Sequence, residues 1–289
     1  MSNIKEIVER INSANSMRQI TKTMQLIAVS KFNKAQQNLL SIRNYEKYLN
    51  GVRDKILTDI NNEEIKKYRI RTEHNNLLLV TLSADKGFCG SFNSSVIKKT
   101  VEIFNSNKSK FENIDILPVG KKAYSFFKKN DYKIVNDFND VLSKLKISEM
   151  HKFAEWLRNS FLSCRYDKIL FIYNSFKIAS SQEVQVHQFL PMLINVEVAN
   201  IGYEEEYLFE PSKDELLQAF VPFKLKTEVA HLLFESNASE QGARMTNMTK
   251  STDNADALIK ELRIQYNQSR QAMITNEIIE ISAGANAIK

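Results

Sequence analysis

Apolar and small residues recur at three- and four-residue spacing from the first turn of the chain. Ile4, Ile7, Ile11, Ala14, Thr21, Met24, Ala28, Ala35, Leu39, Ile42 and Leu49 hold that spacing, with polar interruptions at Arg18 and Gln25. The pattern returns at the other end as Leu225, Val229, Leu232, Ala243, Thr246, Thr249, Ile259, Leu262, Tyr266, Met273, Ile279 and Ala283. Spacing of this kind, sustained over many turns, predicts helices that pair along a seam. The first is expected over 3–56, with Ser2 or Asn3 as cap and Glu6 as a capping-box acid. The last is expected within 213–289, uninterrupted after Pro222. At about 1.5 Å per residue these helices span roughly 80 and 100 Å, whereas a compact chain of this size has a radius of gyration near 19 Å. The simplest solution is an antiparallel coiled coil that protrudes as a rod, the longer C-terminal helix running past its partner.

Between the ends, over about 75–212, the period changes. "NLLLVTLS" (76–83), "IDILPVG" (114–120), "YKIVNDF" (132–138), "KILFIYNSF" (168–176) and "VQVHQFL" (184–190) read as strands, with helical patterns in the first three intervals. Alternating strands and helices predict a Rossmann-like α/β domain with a mostly parallel five-stranded sheet. The last two strands follow each other closely and are expected to pair antiparallel at one edge. The domain layout is therefore 1–57 helix, 75–212 α/β domain and 213–289 helix.

Breakers fall where this layout wants them. Pro118, Pro191, Pro211 and Pro222 lie in or at the end of the middle section, and residues 1–50 hold neither glycine nor proline. No stretch is long and apolar enough for a transmembrane helix, and the first ten residues lack the apolar core of a secretory signal. Cys89 and Cys164 are far apart and read as free thiols; the four histidines show no metal-binding spacing. No cofactor or metal is expected. The turn "SADKGFCGSFN", with Gly87 and Gly90, matches neither a dinucleotide fingerprint nor a P-loop. It reads as a tight turn into a helix capped by Ser91, Asn93 or Ser94, and the sequence offers no catalytic constellation.

Charge is concentrated. Residues 1–57 carry ten Lys/Arg against four Asp/Glu, a net of +6 that equals the net of the whole chain. Between Arg10 and Arg43 stand Arg18, Lys22, Lys31 and Lys34 with no acid. Such a band suits an acidic protein surface or a nucleic acid, although Phe32 is its one aromatic residue. Three classes stay open on the residues alone: a mechanical coiled-coil subunit, a nucleotide-binding α/β enzyme with a coiled-coil arm, and a basic coiled-coil protein that binds nucleic acid.

Three stretches together resemble one family, the gamma subunits of F-type ATP synthases. "KEIVERINSANSMRQITKTMQLIAVSKFNKAQ" is similar to the family's N-terminal helix. "SADKGFCGSFN" is similar to its (S/T)DRGLCGGLN turn. "SEQGARMTNMTKSTDNADALIKELRIQYNQSRQAMITNEIIEISAGANAI" is similar to its C-terminal helix, with the signature at Ile274, Thr275, Glu277, Glu280, Gly284 and Ala285. The resemblance implies a rotor shaft inside a ring of alternating alpha and beta subunits. Its α/β foot would sit on the membrane c-ring beside the epsilon subunit. The shaft itself would hold no nucleotide, bind no nucleic acid and insert no segment into the membrane. It would sit peripherally on the cytoplasmic face of a bacterial inner membrane.

The resemblance also assigns candidate contacts. Met24, Lys22, Lys31, Lys34, Cys89, Arg244, Arg270, Gln271, Thr275, Glu277 and Glu280 are expected to face the ring of alpha and beta subunits. "YLFEP" resembles the family's YLYEP, making Tyr207, Phe209 and Glu210 candidate c-ring contacts, with Phe209 lacking the family's hydroxyl. Lys86 stands for the family's arginine in the turn, keeping charge without a bidentate fork. Ser91 stands for a glycine, which implies that this position does not need positive φ. The final turns, from Ile281 onward, are expected to act as a smooth bearing, with a gripping segment just before them.

Overall fold

The computed structural model describes residues 2–56, 63–68, 75–135, 138, 141–178, 181–192, 210 and 212–287. The chain divides into two compact units, Met1–Val29 with Arg244–Lys289, and Ser30–Ala243. Two long helices run through both: α1, Ser2–Ile56, and α7, Lys213–Ala287. Between them come α2 (Glu63–Lys66), β1 (Asn76–Leu82), α3 (Phe92–Asn107), β2 (Asn113–Val119), α4 (Lys121–Lys129), α5 (Val141–Lys144), α6 (Ile147–Leu162), β3 (Lys168–Ile178) and β4 (Ser181–Leu190).

In the Ser30–Ala243 unit the sheet order is β2-β1-β3-β4. β1 pairs parallel with β2 and with β3, and β3 pairs antiparallel with β4, as the close spacing of the last two runs predicts. The expected fifth strand, 132–138, is not a strand. Only Ile134 bridges to Ile116 beside β2, through Ile116 N–H to the Lys133 carbonyl (2.9 Å) and Val135 N–H to the Ile116 carbonyl (2.8 Å). The cause lies on both sides of that bridge. Asp131 turns back at φ 54° and Tyr132 N–H is still bonded to the Phe127 carbonyl of α4, at 3.2 Å. Beyond the bridge, residues 136–137 lie outside the described part, and Phe138 packs on Phe153 and Trp156, with centroids 4.9 and 5.3 Å away. Among the described residues the sheet is four-stranded and mixed.

Alternation along β1 sets its two faces. Leu77 and Leu79 join Val96 and Ile103 of α3 and Ala123 and Phe127 of α4 in one core. Leu78, Val80 and Leu82 join Phe153, Leu157 and Phe161 of α6, together with Val221, Leu225, Val229 and Leu233 of α7, in the other. The opening turns of α7 are thus a wall of the sheet's own core. This corrects the expectation of an uninterrupted helix only after Pro222: the helix begins at Lys213 and Pro222 lies inside it. Proline removes one helical donor and crowds the preceding turn. Here burial on both sides, at Leu217, Phe220, Val221 and Leu225, holds the helix through it. The start is fixed by Ser212 as N-cap, its Oγ accepting from Glu215 N–H (3.2 Å) and donating to Glu215 Oε1 (3.4 Å).

In the Met1–Val29/Arg244–Lys289 unit the two helices are antiparallel. Ala14 packs against Ile259 and Leu262, Arg18 meets Asp256, Thr21 receives a hydrogen bond from Thr252 (3.1 Å), and Gln25 Nε2 donates to Thr249 Oγ1 (2.8 Å). The polar interruptions of the stripe are therefore seam partners. Every predicted seam position of α1 is buried or half-buried. On α7 the stripe holds through Ile259, Leu262, Tyr266 and Met273, but Ile279 and Ala283 are exposed. One residue for one residue, the register brings Ser2 opposite about residue 271, so α1 has no turn left to cover them.

Candidate functional site

The basic band of α1 separates into two kinds of residue. All three arginines have an acid within the chain: Arg10 Nη2 lies 3.0 Å from Glu6, Arg18 Nε 3.4 Å from Asp256, and Arg43 Nη2 2.7 Å from Glu235. Lys22, Lys31 and Lys34 are exposed, and none forms an ion pair among the described residues. The planar guanidinium suits fixed pairing, whereas lysine presents a mobile point charge. Lys31 and Lys34 lie about one turn apart on one face of α1. Lys22 belongs to the other unit and is exposed there. Glu6, expected to cap the first turn, is instead the partner of Arg10; the side chains of Ser2 and Asn3 lie outside the described part.

Of the other candidates in the helical unit, Met24 is half-buried at the seam and Arg244 is also half-buried. Arg270, Gln271, Thr275, Glu277 and Glu280 are exposed; the Thr275 hydroxyl donates to the Gln271 carbonyl at 2.9 Å, leaving its oxygen for a partner. Every described side chain from Ile274 to Gly284 is exposed, including Ile278, Ile279 and Ile281 at 61, 59 and 73%. Met17, Ile20, Leu26 and Ile27 of α1 are exposed as well. Sequence patterning passed these over because they lie off the seam. Contiguous exposed apolar side chains are a feature of surfaces that make protein contacts.

Cys89 is elsewhere, in the Ser30–Ala243 unit, and is buried. It packs with Ala84, Phe92 and Ala243, and its sulfur accepts a hydrogen bond from Asn93 Nδ2 at 3.2 Å. Its neighbour Phe88 holds φ 65° and is 67% exposed, so the surface of this turn is the phenylalanine and not the thiol. None of the three proposed caps of α3 caps it. Ser91 stands at the N-cap position without a side-chain bond, Ser94 donates back to the Ser91 carbonyl, and Asn93 Oδ1 accepts from Ala84 N–H at 2.8 Å. Ser91 has φ −79°, so the serine in place of the family's glycine sits without strain.

The carboxyl ends of the parallel strands are where doubly wound sheets take ligands. Protein fills that place here. Phe92, Cys89 and Ala243 occupy it, and buried Asn174 of β3 donates to the Phe92 carbonyl at 3.0 Å. Beside it, Ser83 Oγ accepts from Ala123 N–H (2.9 Å) and Asp85 Oδ1 from Lys121 N–H (3.0 Å), which ties the first strand's loop to the start of α4. Gly120, at φ 105°, passes so close that a Cβ would stand 2.0 Å from the Ser83 carbonyl oxygen.

A second lysine-rich surface was not singled out from the sequence, although "KKAYSFFKK" displays it. In α4, Ala123 and Phe127 are buried, and Lys121, Lys122, Lys128 and Lys129 fall on the exposed half. Of the candidate c-ring contacts, Tyr207 and Phe209 lie outside the described residues, and Glu210 is exposed. Among the described residues, no helix is long and apolar enough to cross a membrane and no group of His, Cys, Asp and Glu is placed to hold a metal ion.

Two half-buried charge clusters in the same unit also escaped the sequence reading, because their members are distant along the chain. Glu228 of α7 lies 2.6 Å from His187 of β4 and 2.9 Å from Lys224. Burial alone would raise its carboxyl, but His187 and Lys224 outweigh that and hold it below the ordinary value of 4.5. His231 Nδ1 lies 2.7 Å from Glu46 of α1; burial works against its charge, yet Glu46 and Glu235 raise it above 6.5.

The fold and these surfaces define a class: a helix pair joined to an α/β unit whose ligand crevice is filled, with its polar and apolar handles turned outward. A family model described as ATP synthase matches residues 3–288. The chain is 44% identical over its full length to the ATP synthase gamma chain of Amoebophilus asiaticus, covering 99% of that protein, and 41% identical to that of Christiangramia forsetii at the same coverage. Among solved structures it is similar to a chain of the central stalk/c-ring of Tetrahymena thermophila mitochondrial ATP synthase. That match has 28% identity and a TM-score of 0.57, covering 80% of this chain and 98% of that one. A chain of the Euglena gracilis mitochondrial enzyme shares the fold at TM-score 0.67 and 20% identity, over 99 and 95% of the two chains. The chain belongs to the ATP synthase gamma-chain family.

Proposed function

We propose that the chain is the central rotor shaft of an F-type ATP synthase. Turning with the membrane c-ring, it would drive the catalytic beta subunits of a surrounding alpha/beta ring through their nucleotide states. The observation that carries this reading is the division of the basic band, three arginines paired within the chain and three lysines left outward. A moving interface needs charges that attract over several ångströms and release without unlocking packed side chains. Met24, Arg244, Arg270, Gln271, Thr275, Glu277 and Glu280 add candidate handles on the same helices. Cys89 acts from beneath, supporting the turn that presents Phe88. Glu210, with Tyr207 and Phe209, is the candidate contact to the c-ring, and the epsilon subunit is the expected neighbour of the α/β foot. The complex would lie on the cytoplasmic face of a bacterial inner membrane, this chain attached peripherally. The filled crevice supports a shaft without chemistry of its own.

The test is reconstitution. Purified alpha and beta subunits are mixed with this chain, and ATP hydrolysis is followed across substrate concentration. Cooperative multi-site turnover is expected only with the chain present. Tight nucleotide binding by the isolated chain in calorimetry, or turnover of the mixture that ignores the chain, would defeat the reading.

A further inference from the structure

Glu235 is buried at 5% exposure in the middle of the Ser30–Ala243 unit, yet it is a carboxylate. Arg43 of α1 donates one nitrogen, Nη2, to Glu235 Oε1 (2.7 Å) and to the Phe176 carbonyl of β3 (3.1 Å). Ser175 of β3 donates its hydroxyl to the same Oε1 at 3.2 Å. The other oxygen, Oε2, lies 3.9 Å from His231 Nε2, and the opposite nitrogen of that ring is 2.7 Å from Glu46 of α1. Tyr173 of β3 is buried nearby, and burial first, then the Glu235 charge, keeps its phenol neutral. One carboxylate therefore gathers α1, β3 and α7.

The apolar residues that adjoin it set position less sharply. Ala35, Leu39 and Ala238, with Phe176 and Phe234 beside them, form the adjoining contact. The hydrophobic gain at such a small-residue contact is non-directional, so it constrains roll and slide less sharply than a directional bond does. Hydrogen bonds to a buried charge fail steeply with distance and angle, and the uncompensated charge is then heavily penalised. A small slip of either helix would break several of these bonds together.

We infer that Glu235 is a positioning residue, fixing the roll and axial register of α1 and α7 against β3 so that torque reaches the helices without slip. The inference rests on the rotor reading. Its test uses the whole ATP synthase in membranes, carrying R43L/E235L in this chain. Replacing both charges by apolar groups removes the pinning while leaving no orphaned charge, and such exchanges are often neutral for stability. The readout is protons pumped per ATP hydrolysed, which a purely stabilising role would not move in an assembled complex. The expected result is a normal subunit complement, sustained hydrolysis and a clear loss in the pumping ratio. A wild-type ratio in the assembled double variant overturns the inference. Should R43L/E235L fail to assemble, the isosteric E235Q variant gives the reading by the same ratio: loss supports the inference and a wild-type value overturns it. If the wild-type chain itself does not co-purify with alpha and beta subunits, it is the rotor reading that falls.

Discussion

Replacing Lys22, Lys31 and Lys34 together by glutamate tests the charge-contact idea where the structure makes it sharpest. The three lysines have no ion-pair partner among the described residues, so their reversal breaks nothing inside the chain. Exposed substitutions of this kind change stability by about 0.5 kcal/mol or less. At an interface the account differs. An exposed ion pair contributes about 0.2–1 kcal/mol, and reversal replaces attraction by comparable repulsion, roughly doubling the change. Three such changes sum to the order of 3 kcal/mol, about a hundredfold in an interface equilibrium. The assay is ATP-driven proton pumping in inverted vesicles beside ATP hydrolysis. Pumping per ATP is expected to fall while melting of the isolated chain is unchanged. The deficit is expected to shrink with salt, since the screening length drops from about 8 Å at physiological strength to about 3 Å at 1 M. Because Lys22 is nine or more residues from Lys31 and Lys34 along the chain, the single K22E and double K31E/K34E variants are expected to add. Undiminished pumping in the triple variant, or a deficit indifferent to salt, would refute the argument.

Three further outcomes follow from particular contacts. G120A forces a Cβ against the Ser83 carbonyl at a φ of 105° and disturbs the Ser83–Ala123 bond, so it is expected to destabilise the sheet by about 3 kcal/mol, read from the sole tryptophan, Trp156, in urea; an unchanged urea midpoint would contradict this. His231 is raised above 6.5, so its stabilisation is full below that pH and fades as pH rises through the folded value. The stability gap between wild type and H231Q is thus expected to be widest near pH 6 and to narrow in alkali, whereas Glu228, held below 4.5, loses its contribution only as acid reaches its depressed value; a gap that widens with alkali would reverse the sign. Deleting the last eight residues is expected to weaken assembly of the complex more than rotation, and loss of rotary turnover with assembly intact would reverse the roles given to the tip and the segment before it.

The long helices were legible because their stripe is repeated so often that local exceptions cannot hide it. Even Arg18 and Gln25, which read as interruptions, occupy the seam and find Asp256 and Thr249 there. Three of the strands stood out as dense apolar runs, and β4 through its short spacing from β3. The fifth failed because Ile134 and Val135 look like a strand locally, while Asp131 before them turns the backbone. The run of α7 through Pro222 was not legible because proline was weighed alone. The Ser212 cap ahead of it was the stronger signal, and burial around Pro222 is not visible in one dimension. Of the candidate site, the unpaired state of the lysines and the burial of Cys89 required the fold. So did Glu235, whose partners Arg43 and Ser175 are far from it in sequence.

The place of α7 in the sheet's core bears on how the protein is made. When β4 leaves the ribosome, the face formed by Leu78, Val80, Leu82, Leu117 and Val119 has α6 but still lacks Val221, Leu225, Val229 and Leu233. Those residues arrive roughly 40 positions later, several seconds at a rate of about 5–20 residues per second. For that interval the nascent chain exposes an apolar sheet surface that only its own last segment can close. Chaperone demand and aggregation risk are thereby concentrated at the end of translation, and a chain truncated before α7 would be a target for degradation and not a free-standing α/β protein.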